Sequence, residues 1–119
     1  MLPLSTAVSA GDFVFLSGVP PMELSESGID GQTRSAIRRM ADILQSCGLG
    51  LKDLVYVQLY LKDMRDFATV NRIYEEMMPS PYPARKVIQT EFISEACVEI
   101  NGIATGLTKR YLNEKDVIG

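Results

Sequence analysis

Leu54-Val55-Tyr56-Val57-Gln58-Leu59-Tyr60-Leu61 has no glycine or proline and is rich in β-branched and aromatic side chains, which reads as a strand. Alternation places Val55, Val57, Leu59 and Leu61 on one face and Leu54, Tyr56, Gln58 and Tyr60 on the other. Neither face is polar enough to be left wholly in water, so this strand belongs in a sheet at least partly covered on both sides. On its N-terminal side the period changes to helical. Ala36, Ile37, Met40, Ala41, Ile43, Leu44 and Cys47 form one stripe, with Arg34, Arg38, Arg39, Asp42 and Gln45 opposite. The spacing predicts a helix over Gly31 to Cys47, capped by Asp30 and ended by Gly48 in the left-handed conformation. On the other side a second helix is expected from Phe67 to Met78, with Asp66 as cap and Phe67, Val70, Tyr74 and Met77 as its stripe. Pro81-Tyr82-Pro83 stops it.

The ends supply the remaining strands. Phe13 to Ser17 reads as the second arm of a hairpin whose first arm lies around Leu4 to Ser9, and Pro20 to Asp30 as a loop. Two more strands are expected around Arg85 to Thr90 and Cys97 to Thr105, and Lys109 to Gly119 forms a tail or an extra helix. The order is β-β-α-β-α-β-β, an α+β arrangement in one domain over residues 1–119. Two helices cover one face of such a sheet. The other, where Tyr56 and Tyr60 lie, needs a different cover, and a second copy of the chain is the simplest.

Composition narrows the function. Twelve Lys and Arg stand against 15 acids, a net charge of −3 with a pI near 4.9. Nucleic-acid binders draw affinity from a basic stripe, and the Arg34, Arg38 and Arg39 cluster reads instead as a solvated helix face. The isolated Cys47 and Cys97 read as reduced core residues. With neither a signal-like leader nor a membrane-length apolar run, the cytoplasm is the expected compartment. There is no histidine, which removes Ser-His-Asp and Cys-His nucleophiles and ordinary zinc sites. No Gly-rich phosphate loop is present. Acid–base work falls to carboxylates, Lys, Tyr, Cys or backbone groups.

Two charged residues stand out. Arg85 follows Pro83-Ala84 at a strand entry, where a rigid guanidinium fork matches a substrate carboxylate; an exposed ion pair is the plain alternative. Glu99 faces away from Val98 and Ile100. If its strand pairs with that of Arg85, the two could share a pocket in which Glu99 orients a water and takes its proton. An edge-strand gatekeeper, or a salt bridge to Arg85, is the plain alternative there. Gly18, after Ser17, permits close backbone approach by a ligand. Asn71, a poor helix former, either bonds a loop or is exposed. Tyr74 reads as core.

Phe15-Leu16-Ser17-Gly18, Asp66 to Asn71 with Tyr74, Tyr82-Pro83-Ala84-Arg85 and Val98-Glu99-Ile100 together resemble the Rid family, also called YjgF-like and formerly L-PSP endoribonuclease-like. The resemblance spans nearly the whole chain. It implies a chorismate-mutase-like α+β fold assembled as a homotrimer, helices outside a central barrel, with active sites in clefts between subunits. It further implies hydrolysis of small 2-imino or 2-enamino acids to 2-oxo acids and ammonia, with no metal or organic cofactor. Arg85 would grip the carboxylate and Glu99 position the water, while Ser17, Gly18 and Asn71 match pocket positions. The chain departs from the pattern at Leu4, where tyrosine is common, and at Val87, where cysteine is common and only a backbone carbonyl remains to hold water. Asn101 and Gly102 replace a usual glutamate and alanine, and the chain begins later than typical members. The departures bear on substrate preference. A non-catalytic ligand-binding trimer using the same cleft is the alternative; a ribonuclease fits the acidic, histidine-free composition less well.

Overall fold

The computed structural model describes residues 2–22 and 28–118. Its secondary structure runs β1 (Ala7–Ala10), β2 (Phe13–Leu16), α1 (Gly28–Ser46), β3 (Leu54–Leu61), α2 (Phe67–Met77), β4 (Ala84–Gln89), β5 (Val98–Thr105) and α3 (Glu114–Ile118). The expected order holds, with the tail ending in a short helix. The middle of the anticipated Pro20 to Asp30 loop, positions 23–27, lies outside the described residues.

The strands form one sheet in the order β1-β2-β5-β3-β4. All neighbours are antiparallel except β3 and β4, which run parallel because α2 carries the chain back between them. One expectation fails here. β5 does not pair with the Arg85 strand; β3 lies between them and pairs with both. The long apolar β3 is thus the central strand its composition requires, and β4 is left as an edge.

Both helices pack on one face of the sheet, and Ile37, Met40, Leu44, Val70 and Ile73 meet Val57, Leu59, Leu61, Val98 and Ile100 there. Side-chain phase along β3 differs from simple alternation. A register shift falls between Leu54, opposite Ala104, and Tyr56, opposite Ile103. The bulge leaves Val55 as the extra residue and turns Leu54 onto the helix-covered face, where it is 1% exposed. Gly102 makes room for this, because a Cβ there would stand 2.7 Å from the Tyr56 carbonyl oxygen and 2.9 Å from Leu54 Cδ2.

Helix α1 begins at Gly28 rather than Gly31, so Asp30 sits inside its first turn instead of capping it. Its carboxylate accepts from Arg34 Nε at 2.9 Å, and Arg34 also reaches Glu76 on α2. That hydrogen bond to Arg34 holds the Asp30 carboxyl below the usual range. Arg39 donates to the Pro20 carbonyl at 3.2 Å, so this part of the arginine cluster serves the fold. At the other end Gly48 has φ 77, its N–H bonds Gln45 O, and Leu49 N–H bonds Leu44 O. This pattern satisfies the orphan carbonyls of the last turn. Before α2, Asp66 makes no side-chain capping bond; Asp63 accepts from Arg65 N–H and caps the preceding 3₁₀ turn instead.

The second sheet face has no helix packed on it among the described residues. Register puts Val8, Phe13, Phe15, Ile103, Tyr56 and Ile88 on it, and Phe13 and Phe15 are 40% and 44% exposed.

Candidate functional site

Arg85 pairs in register with the buried Val57, which directs its side chain to the helix-covered face at the open edge of the sheet. There α2 presents Phe67, Asn71 and Tyr74, spaced i, i+4 and i+7 and therefore on one stripe. The guanidinium carbon lies 4.8 Å from the Tyr74 ring centroid and 6.0 Å from that of Phe67. A cavity of about 290 Å³ opens beside it, lined by Asn71, Tyr74, Glu75, Tyr82, Pro83 and Arg85. Tyr82 pins the approach to β4 by donating to the Glu75 carbonyl at 3.4 Å, and its ring lies 6.5 Å from that of Tyr74. Arg85 makes neither an ion pair nor a hydrogen bond with any described residue. The plain reading of Arg85 as one half of a surface salt bridge is set aside.

Glu99 pairs in register with Tyr60, which turns it to the uncovered face. A cavity of about 330 Å³ there is lined by Gly18, Tyr60, Thr90, Glu91, Phe92, Ile93, Glu99 and Asn101. Gly18 lets the Glu99 carboxylate lie against the backbone, because a Cβ there would push that side chain aside. Like Arg85, Glu99 has no ionic partner among the described residues. The Asn101 amide oxygen beside it is buried without a hydrogen bond. Tyr60 Oη donates to Gln58 Oε1 at 3.1 Å across the same face.

Arg85 and Glu99 therefore occupy separate hollows on opposite faces of one sheet. Asn71 joins Arg85, and Gly18 joins Glu99. Ser17 is tied into the chain, donating from its hydroxyl to the Ser5 carbonyl at 2.5 Å, and lines a third, smaller cavity with Leu4 and Gly18. Val87 lies on the Arg85 face of β4, packed against the core. Sequence reading missed Tyr74 and Tyr82 as walls of the Arg85 hollow, and Phe67 as a ring beside the guanidinium. The available signal was Asn71, a polar residue set within an otherwise apolar helical stripe.

Fold and cavities define a small α+β protein with one hollow at Arg85 and another at Glu99, neither of which is ion-paired among the described residues. The pattern described as Endoribonuclease L-PSP matches residues 1–106. A chloroplastic Reactive Intermediate Deaminase A of Arabidopsis thaliana is 36% identical over 87% of this chain and 58% of its own length. A 2-iminobutanoate/2-iminopropanoate deaminase of Dermatophagoides farinae is 31% identical over 85% of this chain and 84% of its own. The crystal structure of RidA from the Antarctic bacterium Psychrobacter sp. PAMC 21119 superposes with a TM-score of 0.82 at 31% identity, covering 87% of this chain and 88% of that one. The chain belongs to the Endoribonuclease L-PSP family, the Rid or YjgF-like proteins. Among the described residues no helix is long and apolar enough to cross a membrane.

Proposed function

We propose that this protein hydrolyses short 2-imino acids, and the 2-enamino acids that tautomerise to them, at sites formed between copies of the chain in a homotrimer. The observation that carries the reading is Arg85, a guanidinium at a cavity where it makes no ion pair with any described residue. An unpaired fork of this kind is a receptor for a planar carboxylate. Two relatives whose names specify deamination, one of them of iminobutanoate and iminopropanoate, support the same chemistry.

In this reading the Arg85 hollow of one subunit faces the Glu99 hollow of the next. A head-to-tail contact joins unlike surfaces, and repeated three times it closes a ring. It would also cover the apolar face that carries Phe13 and Phe15. The substrate carboxylate binds Arg85, flanked by Asn71, which sets the C=N carbon toward Glu99. Glu99, held against Gly18, takes a proton from a water as the water oxygen bonds to that carbon. The C=N π pair goes to nitrogen, which solvent protonates. The carbinolamine then collapses: the C–N bond breaks, C=O forms as the hydroxyl proton passes to solvent, and ammonia leaves with the proton returned from Glu99. Such imines already react with water, so orientation and a fixed charge suffice. Val87 contributes backbone only; β4 is an edge strand, and its carbonyls on the open side are available to hold the water.

The test couples an imine-releasing dehydratase to this protein and follows 2-oxo acid formation. Acceleration by the wild type and none by Arg85→Ala is the expected result. Saturable binding of 2-oxo acids with no acceleration would make the same cavity a ligand sensor instead.

A further inference from the structure

Building on the reading of Arg85 as the carboxylate receptor, we propose that Tyr74 is a positioning residue for it: the phenol ring, with Phe67 beside it, braces the guanidinium through its face and leaves the N–H fork free for substrate. A strand-borne arginine is ordinarily steadied by a carboxylate, which neutralises it and occupies its donors. Here the steadying groups are aromatic. The Arg85 guanidinium carbon lies 4.8 Å from the Tyr74 centroid and 6.0 Å from that of Phe67, and no described acid bonds it. A ring face attracts the cation through its quadrupole without accepting an N–H in the guanidinium plane. The full charge and the in-plane donors therefore stay available at the cavity shared by both residues.

The brace is itself held firmly. Tyr74 is 4% exposed, packed in the core beneath the sheet, so its ring cannot swing away from the guanidinium. Phe67, 37% exposed, forms the outer and more distant side. The Tyr74 hydroxyl is buried and makes no hydrogen bond, which assigns the role to the ring and not to the phenol oxygen.

Calorimetric binding of 2-oxobutanoate, with kcat and KM for imine hydrolysis, tests this on four variants. Tyr74→Leu, which keeps an apolar side chain and loses the π face, is expected to weaken binding on the order of tenfold, as loss of a largely desolvated cation–π contact implies. KM should rise in proportion, with kcat within about twofold, because the chemistry at Glu99 is untouched. Tyr74→Phe restores the face and should bind within about twofold of wild type. Should Tyr74→Leu fail to fold, the more exposed Phe67→Leu decides, with binding about two- to threefold weaker expected. Wild-type affinity in a folded Tyr74→Leu, or in Phe67→Leu where that variant decides, overturns the proposal. A Tyr74→Phe as weak as Tyr74→Leu overturns it too, since the hydroxyl would then be the working group. Arg85→Ala separates the two readings: retained 2-oxobutanoate binding there overturns the receptor role of Arg85, while its loss beside an unchanged Tyr74→Leu overturns only the brace.

Discussion

Arg85 stands beside two aromatic rings and bonds no described acid, and this has consequences for stability as well as for binding. Arg85→Ala loses the two ring contacts but no ion pair, so it should lower the unfolding free energy by about 1–2 kcal/mol, read from denaturant melts. Imine hydrolysis should nevertheless fall on the order of a hundredfold, the loss of two charge-assisted hydrogen bonds to the carboxylate. Gly18 makes the complementary case. An alanine Cβ there meets the Glu99 carboxylate, so Gly18→Ala is expected to displace that group and lower turnover more than it lowers the melting temperature. Tyr74 adds a pH signature. Burial pushes its phenol up to about 12, against an ordinary value near 10, although the Arg85 charge pulls the other way. Below pH 10 the group is neutral in both folded and unfolded chains. Above it the unfolded chain loses the proton first, so this contribution disappears as pH climbs from about 10 to 12, by about 2–3 kcal/mol in full. Tyr74→Phe should show a correspondingly shallower alkaline decline in chemical denaturation. At neutral pH the same variant should be at least as stable as wild type, since the buried hydroxyl has no partner to lose.

At the scale of elements, the β3 bulge, Leu54 and Gly102 form one unit. Gly102→Ala would set a Cβ 2.7 Å from the Tyr56 carbonyl oxygen, and we expect it to cost about 1–3 kcal/mol by forcing the bulge to shift. Denaturant midpoints, with circular dichroism to confirm the fold, measure this. The same unit marks where sequence reading stops. Strict alternation puts Leu54 with Tyr56, and nothing in the octet from Leu54 to Leu61 announces an extra residue, because a bulge is fixed by the partner strand. Helix α1 was legible from its stripe, and its end from Gly48, because both signals are local. Its start was not, since Asp30 can serve as a cap or within the first turn, and its bonds to Arg34 and Arg72 decide which. Strand order was the larger loss. Arg85 and Glu99 were each legible as charged residues on strands, but which strands are neighbours depends on long-range packing. With β3 between β4 and β5, the two side chains fall on opposite faces and cannot form the pocket that direct pairing would have given.

At the scale of the whole molecule, the proposed homotrimer would both cover the exposed sheet face and bring the Arg85 and Glu99 hollows together. Phe15→Glu places a charge in the middle of the apolar face and should convert the proposed trimer to monomers in sedimentation experiments, abolishing turnover while the subunit stays folded. The most direct test of a site completed between chains uses two inactive proteins. Arg85→Ala retains Glu99, and Glu99→Gln retains Arg85. If these groups meet only across a boundary, co-assembled trimers contain some sites with both intact, and a random equal mixture should regain about a quarter of wild-type turnover. Mixed trimers that form and remain as inactive as either parent would contradict the account.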